Sequence, residues 1–158
     1  MLLKIIGIIL ILLSSAALGL ELRYALECKL RSARALEKLL VHTRQMIKSL
    51  CASGGEILSS CPSELLFDCG YTGECTPKSF SELADRCRIE DGECSRIFCE
   101  FCRDFGKSYR EEELGRCERY LALLSARVDC LQSEIMAKKK TALVLPLSCG
   151  LILAILLA

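Results

Sequence analysis

Two apolar runs bound this chain, and they limit the folds open to it more than any other feature. Residues 1–20 carry one charge, Lys4, and residues 141–158 carry none. A helix crosses a bilayer with roughly 20 apolar residues, and both runs are close to that length. The polar stretch between them is too small to bury an all-apolar helix in a water-soluble core. Pro146 would disturb a helix in water but is tolerated in a membrane helix. The expectation is a transmembrane helix at 1–20, a helical domain at 21–140 and a second transmembrane helix at 141–158. A rival reading of the first run is a cleaved signal peptide, with Lys4 as its basic start and Ser15-Ala16-Ala17 as a small-residue cleavage site.

Charge sets the expected orientation. Arg23, Lys29, Arg31, Arg34 and Lys38 follow the first run, and Lys138, Lys139 and Lys140 stand at the edge of the second. Only Lys4 lies on the far side. The positive-inside rule places 21–140 in the cytoplasm with both termini outside. Two crossings return the chain to its starting side, so both basic flanks agree on one topology. The whole chain has a net charge of +1, 6% aromatics and no Trp, which argues against nucleic-acid binding through charge or base stacking.

The middle reads as helices. Leu26, Leu30, Ala33, Leu36, Leu40, Thr43, Ile47 and Leu50 recur at spacings of three and four, and Gly54-Gly55 ends the pattern. Ser53 and Glu56 have capping-box spacing. Thr76-Pro77 predicts a helix over about 77–89, Asp91-Gly92 a turn, and 93–105 a further short helix. For the last helix, Ser108 is the expected N-cap with Glu111 as its capping-box partner. Glu112 and Glu113 add favourable charge to its first turn. Leu114, Cys117, Leu121, Leu124, Val128, Leu131 and Ile135 then form a narrow apolar seam. That seam suits packing along the equally long first helix, with a self-assembling coiled coil as the alternative. The fold class is all-α: a small bundle of about five or six helices between two terminal transmembrane helices.

Chemistry is harder to find. His42 is the single histidine, and there is no phosphate-binding glycine loop. The chain is therefore read as non-enzymatic, with no cofactor. Twelve cysteines invite two readings. In the cytoplasm they are reduced thiols that fill space, whereas in an exported protein they would build a disulfide framework. Cys99 and Cys102 form a CxxC, with Cys87 and Cys94 just before it. Four thiolates can hold zinc, and a CxxC at a helix start can be redox-active. A single short-spaced pair on one helix face also suits plain burial.

The order of these pieces resembles the stage III sporulation protein AB family of endospore-forming bacteria. The resemblance rests on the first apolar run, Met1 to Ala16, and on the Leu/Arg-rich helix that follows it. It rests also on Phe105-Gly106-Lys107-Ser108, similar to that family's Leu-Gly-x-Ser turn before a long charged helix, and on the short apolar end after a basic flank. Tyr109 stands where the family has Asp, and residues 51–95 do not match its pattern. The resemblance implies a membrane component of the channel complex between mother cell and forespore. Its soluble domain would be similar to the cytoplasmic domain of type II secretion and type IV pilus platform proteins. The implied partners are a secretion-type ATPase, stage III sporulation protein AA, other stage III sporulation membrane proteins and the lipid bilayer. An exported Cys-rich helical protein and a membrane-bound zinc or thiol sensor are the competing functions.

Overall fold

A computed structural model describes the backbone of residues 2–50 and 53–157, with side chains described for residues 7, 9, 10, 13–49, 53–138 and 148. Among the described residues there are six helices: α1 Leu2–Leu50, α2 Gly54–Ser59, α3 Ser63–Asp68, α4 Phe80–Arg86, α5 Gly92–Asp104 and α6 Arg110–Leu157. The fold is all-α. Its one departure is an isolated antiparallel bridge between Tyr71 and Cys87. The chain divides into two compact units, residues 29–130 and residues 1–28 with 131–158.

In the 29–130 unit the two long helices run antiparallel. Cys117 directs its thiol at the Leu40 carbonyl, 3.6 Å away, and Arg110 donates to the Ile47 carbonyl at 3.0 Å. Seven residues forward on α1 correspond to seven back on α6, which only an antiparallel pair allows. The spacing that predicted the pair also predicted its buried face. Ala33, Leu36, Leu40, Thr43 and Ile47 are buried on α1, and Cys117, Leu124 and Val128 on α6. Thr43 sits in this apolar face because its hydroxyl donates to the Leu39 carbonyl at 2.8 Å, one turn back.

The short helices bury apolar side chains of their own. Ile57 and Leu58 of α2, Phe80 and Leu83 of α4, and Phe98 and Phe101 of α5 are all buried. Phe80 and Phe101 meet edge to face at 5.5 Å, and Phe105 packs on Phe80 at 4.3 Å. α2 begins as its capping box predicts: Glu56 accepts from the Ser53 backbone N–H at 2.7 Å. α1 is described to Leu50, and Gly54 and Gly55 open α2 behind the Ser53 cap. A side chain at Gly54 would crowd Phe105 at 3.2 Å, which gives the glycine a packing role.

α4 is shorter than the predicted 77–89. Its cap is Ser79, which accepts from the Glu82 N–H at 3.2 Å, so Thr76-Pro77 lies ahead of the helix. It stops at Arg86 because the next residues turn to Tyr71. Thr72 donates to the Arg86 carbonyl at 3.2 Å and Arg88 to the Gly70 carbonyl at 2.9 Å. Gly70 adopts φ +86 there, and a Cβ would come within 2.3 Å of the Arg88 oxygen.

In the unit formed by residues 1–28 and 131–158, Ser15, Leu131 and Ile135 are buried. Ile9, Leu10, Leu13, Leu18, Leu20 and Leu22 are all more than half exposed. Lys138 is exposed and lies 3.6 Å from Glu134, whereas the Lys139 and Lys140 side chains lie outside the described residues. α6 continues through this basic flank to Leu157. Among the described residues no helix is long and apolar enough to cross a membrane.

Candidate functional site

The most elaborate polar construction is the corner between α5 and α6. Gly106 takes φ +82, a left-handed conformation natural to glycine, and lets the backbone curl. The curl aims three consecutive backbone N–H groups, those of Gly106, Lys107 and Ser108, at one carboxylate oxygen of Glu113, each at 3.1 Å. Glu113 is only 7% exposed, so these bonds replace its lost hydration. Arg116 completes the clasp. It donates to the Asp104 carbonyl at 2.6 Å and to the Ser108 hydroxyl at 2.8 Å, and it lies 3.5 Å from Glu113.

This corrects the predicted cap. α6 begins at Arg110, so Ser108 stands before the capping position, and its hydroxyl is engaged by Arg116. Glu111 is exposed, and the reach-back role belongs to Glu113. Three adjacent glutamates are equivalent to a capping rule; the curled loop selects the one that faces it.

Two further arginines tie α6 to its neighbours. Arg110 donates to the Ile47 and Lys48 carbonyls at the end of α1, where a cation meets the negative end of the helix dipole. Arg127 grips Asp91 with two bonds of 2.8 and 3.1 Å and reaches Glu93 at 3.1 Å. Asp91 also caps α5, accepting from the Cys94 N–H at 2.9 Å. The Arg127 hydrogen bond holds the Asp91 carboxyl well below the usual carboxylate range despite its burial. The same bond raises Arg127 further above neutrality. A turn was predicted at Asp91-Gly92; an Asp just ahead of a helical stretch is also a cap signal, and the partner arginine is 36 residues away.

The cysteines singled out in the sequence are placed individually. Cys94 and Cys102 are buried, and Cys87 and Cys99 are half-buried. Among the described residues no three His, Cys, Asp or Glu side chains come together as a metal-holding group. Burial pushes Cys87 and Cys94 up to about 12, helped by the charges of Cys99 and Asp91 respectively. Burial raises Cys69 and Cys102 further, and neighbouring thiols add to the effect in both. A thiol that resists ionisation is a poor nucleophile. The CxxC pair borders an open hollow of about 560 Å³ with Lys78, Arg103, Phe80 and Phe105. Cys102, the second thiol of the pair, is held protonated by its burial.

His42 lies 3.1 Å from the Ser60 hydroxyl. That hydroxyl donates its proton to the Ile57 carbonyl at 2.8 Å. Ser60 can then only accept from His42, so the pair lacks the polarity of a base activating a nucleophile. The strongest polar contacts described in this unit are arginine–carboxylate and arginine–carbonyl ties between helices and loops.

Comparison with known proteins finds no matching family model, no matching curated protein and no matching solved structure.

Proposed function

We propose that this chain is a non-enzymatic membrane component of the sporulation channel complex between mother cell and forespore. Its helical domain is a platform in the mother-cell cytoplasm that couples a secretion-type ATPase to the membrane channel. The reading rests on the resemblance to the stage III sporulation protein AB family. The observation that carries its membrane half is the row of exposed aliphatics Ile9, Leu10, Leu13, Leu18, Leu20 and Leu22. Isolated exposed leucines are ordinary, but six within fourteen residues of one helix form a surface that lipid would cover. The segments 1–20 and 141–158 are the proposed transmembrane helices, and Lys138, Lys139 and Lys140 would meet the headgroups of the cytoplasmic face.

The platform half draws support from the arginine ties. A part that transmits load or fixes geometry needs helices that do not slide. Arg110, Arg116 and Arg127 tie α6 to α1, to the α5–α6 loop and to the start of α5. The buried thiols suit a compartment that keeps cysteine reduced.

The test is capture of the stage III sporulation protein AA ATPase by the full-length chain in detergent. Retention that disappears when residues 29–130 are deleted is the expected result. An ATPase that ignores the chain, or binds it equally well without that unit, overturns the platform reading.

A further inference from the structure

We propose that Cys99 and Cys102 are a reversible dithiol–disulfide pair, oxidised by a low-molecular-weight disulfide that enters the hollow beside them. Cys99 is the thiol that attacks, and Cys102 is the thiol that resolves. The site lies apart from the arginine ties and does not depend on the platform role.

Spacing sets this pair apart. Of the twelve cysteines, no other two stand three or four residues apart. Both lie within α5, so they fall one above the other on a single helix face. Helix geometry puts their Cα atoms about 5 Å apart, inside the range that a disulfide spans. Their Cβ atoms stand at about 5–6 Å, beyond the roughly 4 Å of a relaxed disulfide. Closing the bond therefore pulls on the helix, and a strained disulfide is readily reduced again. A cytoplasm that keeps buried thiols reduced leaves room for disulfides of that transient kind.

Access divides the work between the two thiols. Cys99 is half-buried, whereas Cys102 is 4% exposed. Both border the hollow of about 560 Å³, whose walls include Gly54, Gly55, Ser79, Ser81 and Ala84. Such short residues leave room for a small molecule and its departing half. Burial keeps Cys102 protonated, so it is a poor partner for an oxidant in solution. One turn from Cys99, it reacts instead within the molecule, where proximity replaces concentration. Cys87 lies within electrostatic reach of Cys99, but it belongs to the end of α4 and is fixed by its bridge to Tyr71.

The Cys99 sulfur, as thiolate, attacks one sulfur of the small disulfide. A mixed disulfide forms on Cys99, the S–S bond of the oxidant breaks, and the departing thiolate takes up the proton that Cys99 released. Cys102 then gives up its proton and attacks the Cys99 sulfur, expelling the second half as a thiol. Two protein thiols lose two electrons and two protons, and the small disulfide becomes two thiols.

Treating the full-length chain in detergent with oxidised glutathione, alkylating it and reading its peptides by mass spectrometry tests this. In the wild type, Cys99 and Cys102 should leave the alkylated pool together, joined to each other and free of glutathione. The exposed Cys75 and Cys130, with no cysteine one turn away, should retain glutathione. Excess reduced glutathione should reopen the pair. Cys102→Ser should hold glutathione on Cys99, and Cys99→Ser should leave Cys102 unmodified. Four results overturn the proposal: Cys99 and Cys102 staying alkylated while Cys75 and Cys130 take up glutathione, glutathione retained on wild-type Cys99, closure of Cys99 onto Cys87, or a bond that excess reduced glutathione leaves closed. All four are read on the wild type, so a variant that fails to fold leaves them standing.

Discussion

Removing the Glu113 carboxylate strands the N–H groups of Gly106, Lys107 and Ser108 together and leaves Arg116 with less compensation. Glu113→Ala should destabilise the fold by about 2–3 kcal/mol in urea unfolding, the range for losing buried charge-assisted hydrogen bonds. Glu113→Gln keeps one accepting oxygen and should lose about half as much. Glu111→Ala, on the exposed residue, should be nearly silent. Asp91 provides a pH signature. Its carboxyl titrates below its unfolded value, so its stabilisation is complete above about pH 4 and is lost as pH falls through the depressed folded value. Asp91→Asn should lower stability at neutral pH and flatten the acid limb of the stability profile, measured by thermal unfolding between pH 2 and 7. An unchanged acid limb would mean that Arg127 does not hold this carboxylate in solution.

At the scale of elements, legibility followed the range of the interaction. The α1–α6 seam was readable because its spacing repeats over many turns, and the Ser53–Glu56 box because both partners lie within one turn. The start of α4 was not, because Thr76-Pro77 and Ser79 with Glu82 are both valid caps, and neither was its end, which is set by the pairing of Cys87 with the distant Tyr71. The same holds for Asp91, whose partner is on α6, and for Glu113, selected from three glutamates by a loop whose curl depends on Gly106. The two positive-φ glycines separate backbone strain from collision. Gly106→Ala should cost about 1–2 kcal/mol, the price of a left-handed alanine with open space around it. Gly70→Ala should cost more in the same measurement, because its Cβ would also collide with the Arg88 carbonyl and open the Tyr71–Cys87 bridge. Equal losses would contradict that bridge.

For the whole molecule, the sequence carried the all-α fold class, whereas the membrane role of its two ends belongs to the proposal. The cysteines were ambiguous in sequence because the same residues serve as packing thiols or as disulfides, depending on the compartment. Burial now divides them into reporters and silent positions. Cys75 and Cys130 are exposed, whereas Cys69 and Cys102 are buried and resist ionisation. That division allows the central claim, a helical domain held in the cytoplasm by membrane segments at both ends, to be tested with the native residues. A membrane-impermeant maleimide is applied to intact cells and then to permeabilised ones, with labelling at Cys75 and Cys130 read by mass spectrometry. The account predicts no labelling of either residue in intact cells and labelling of both after permeabilisation, with the protein in the membrane fraction throughout. Labelling of Cys75 and Cys130 in intact cells, or recovery of the chain from the medium, would contradict it.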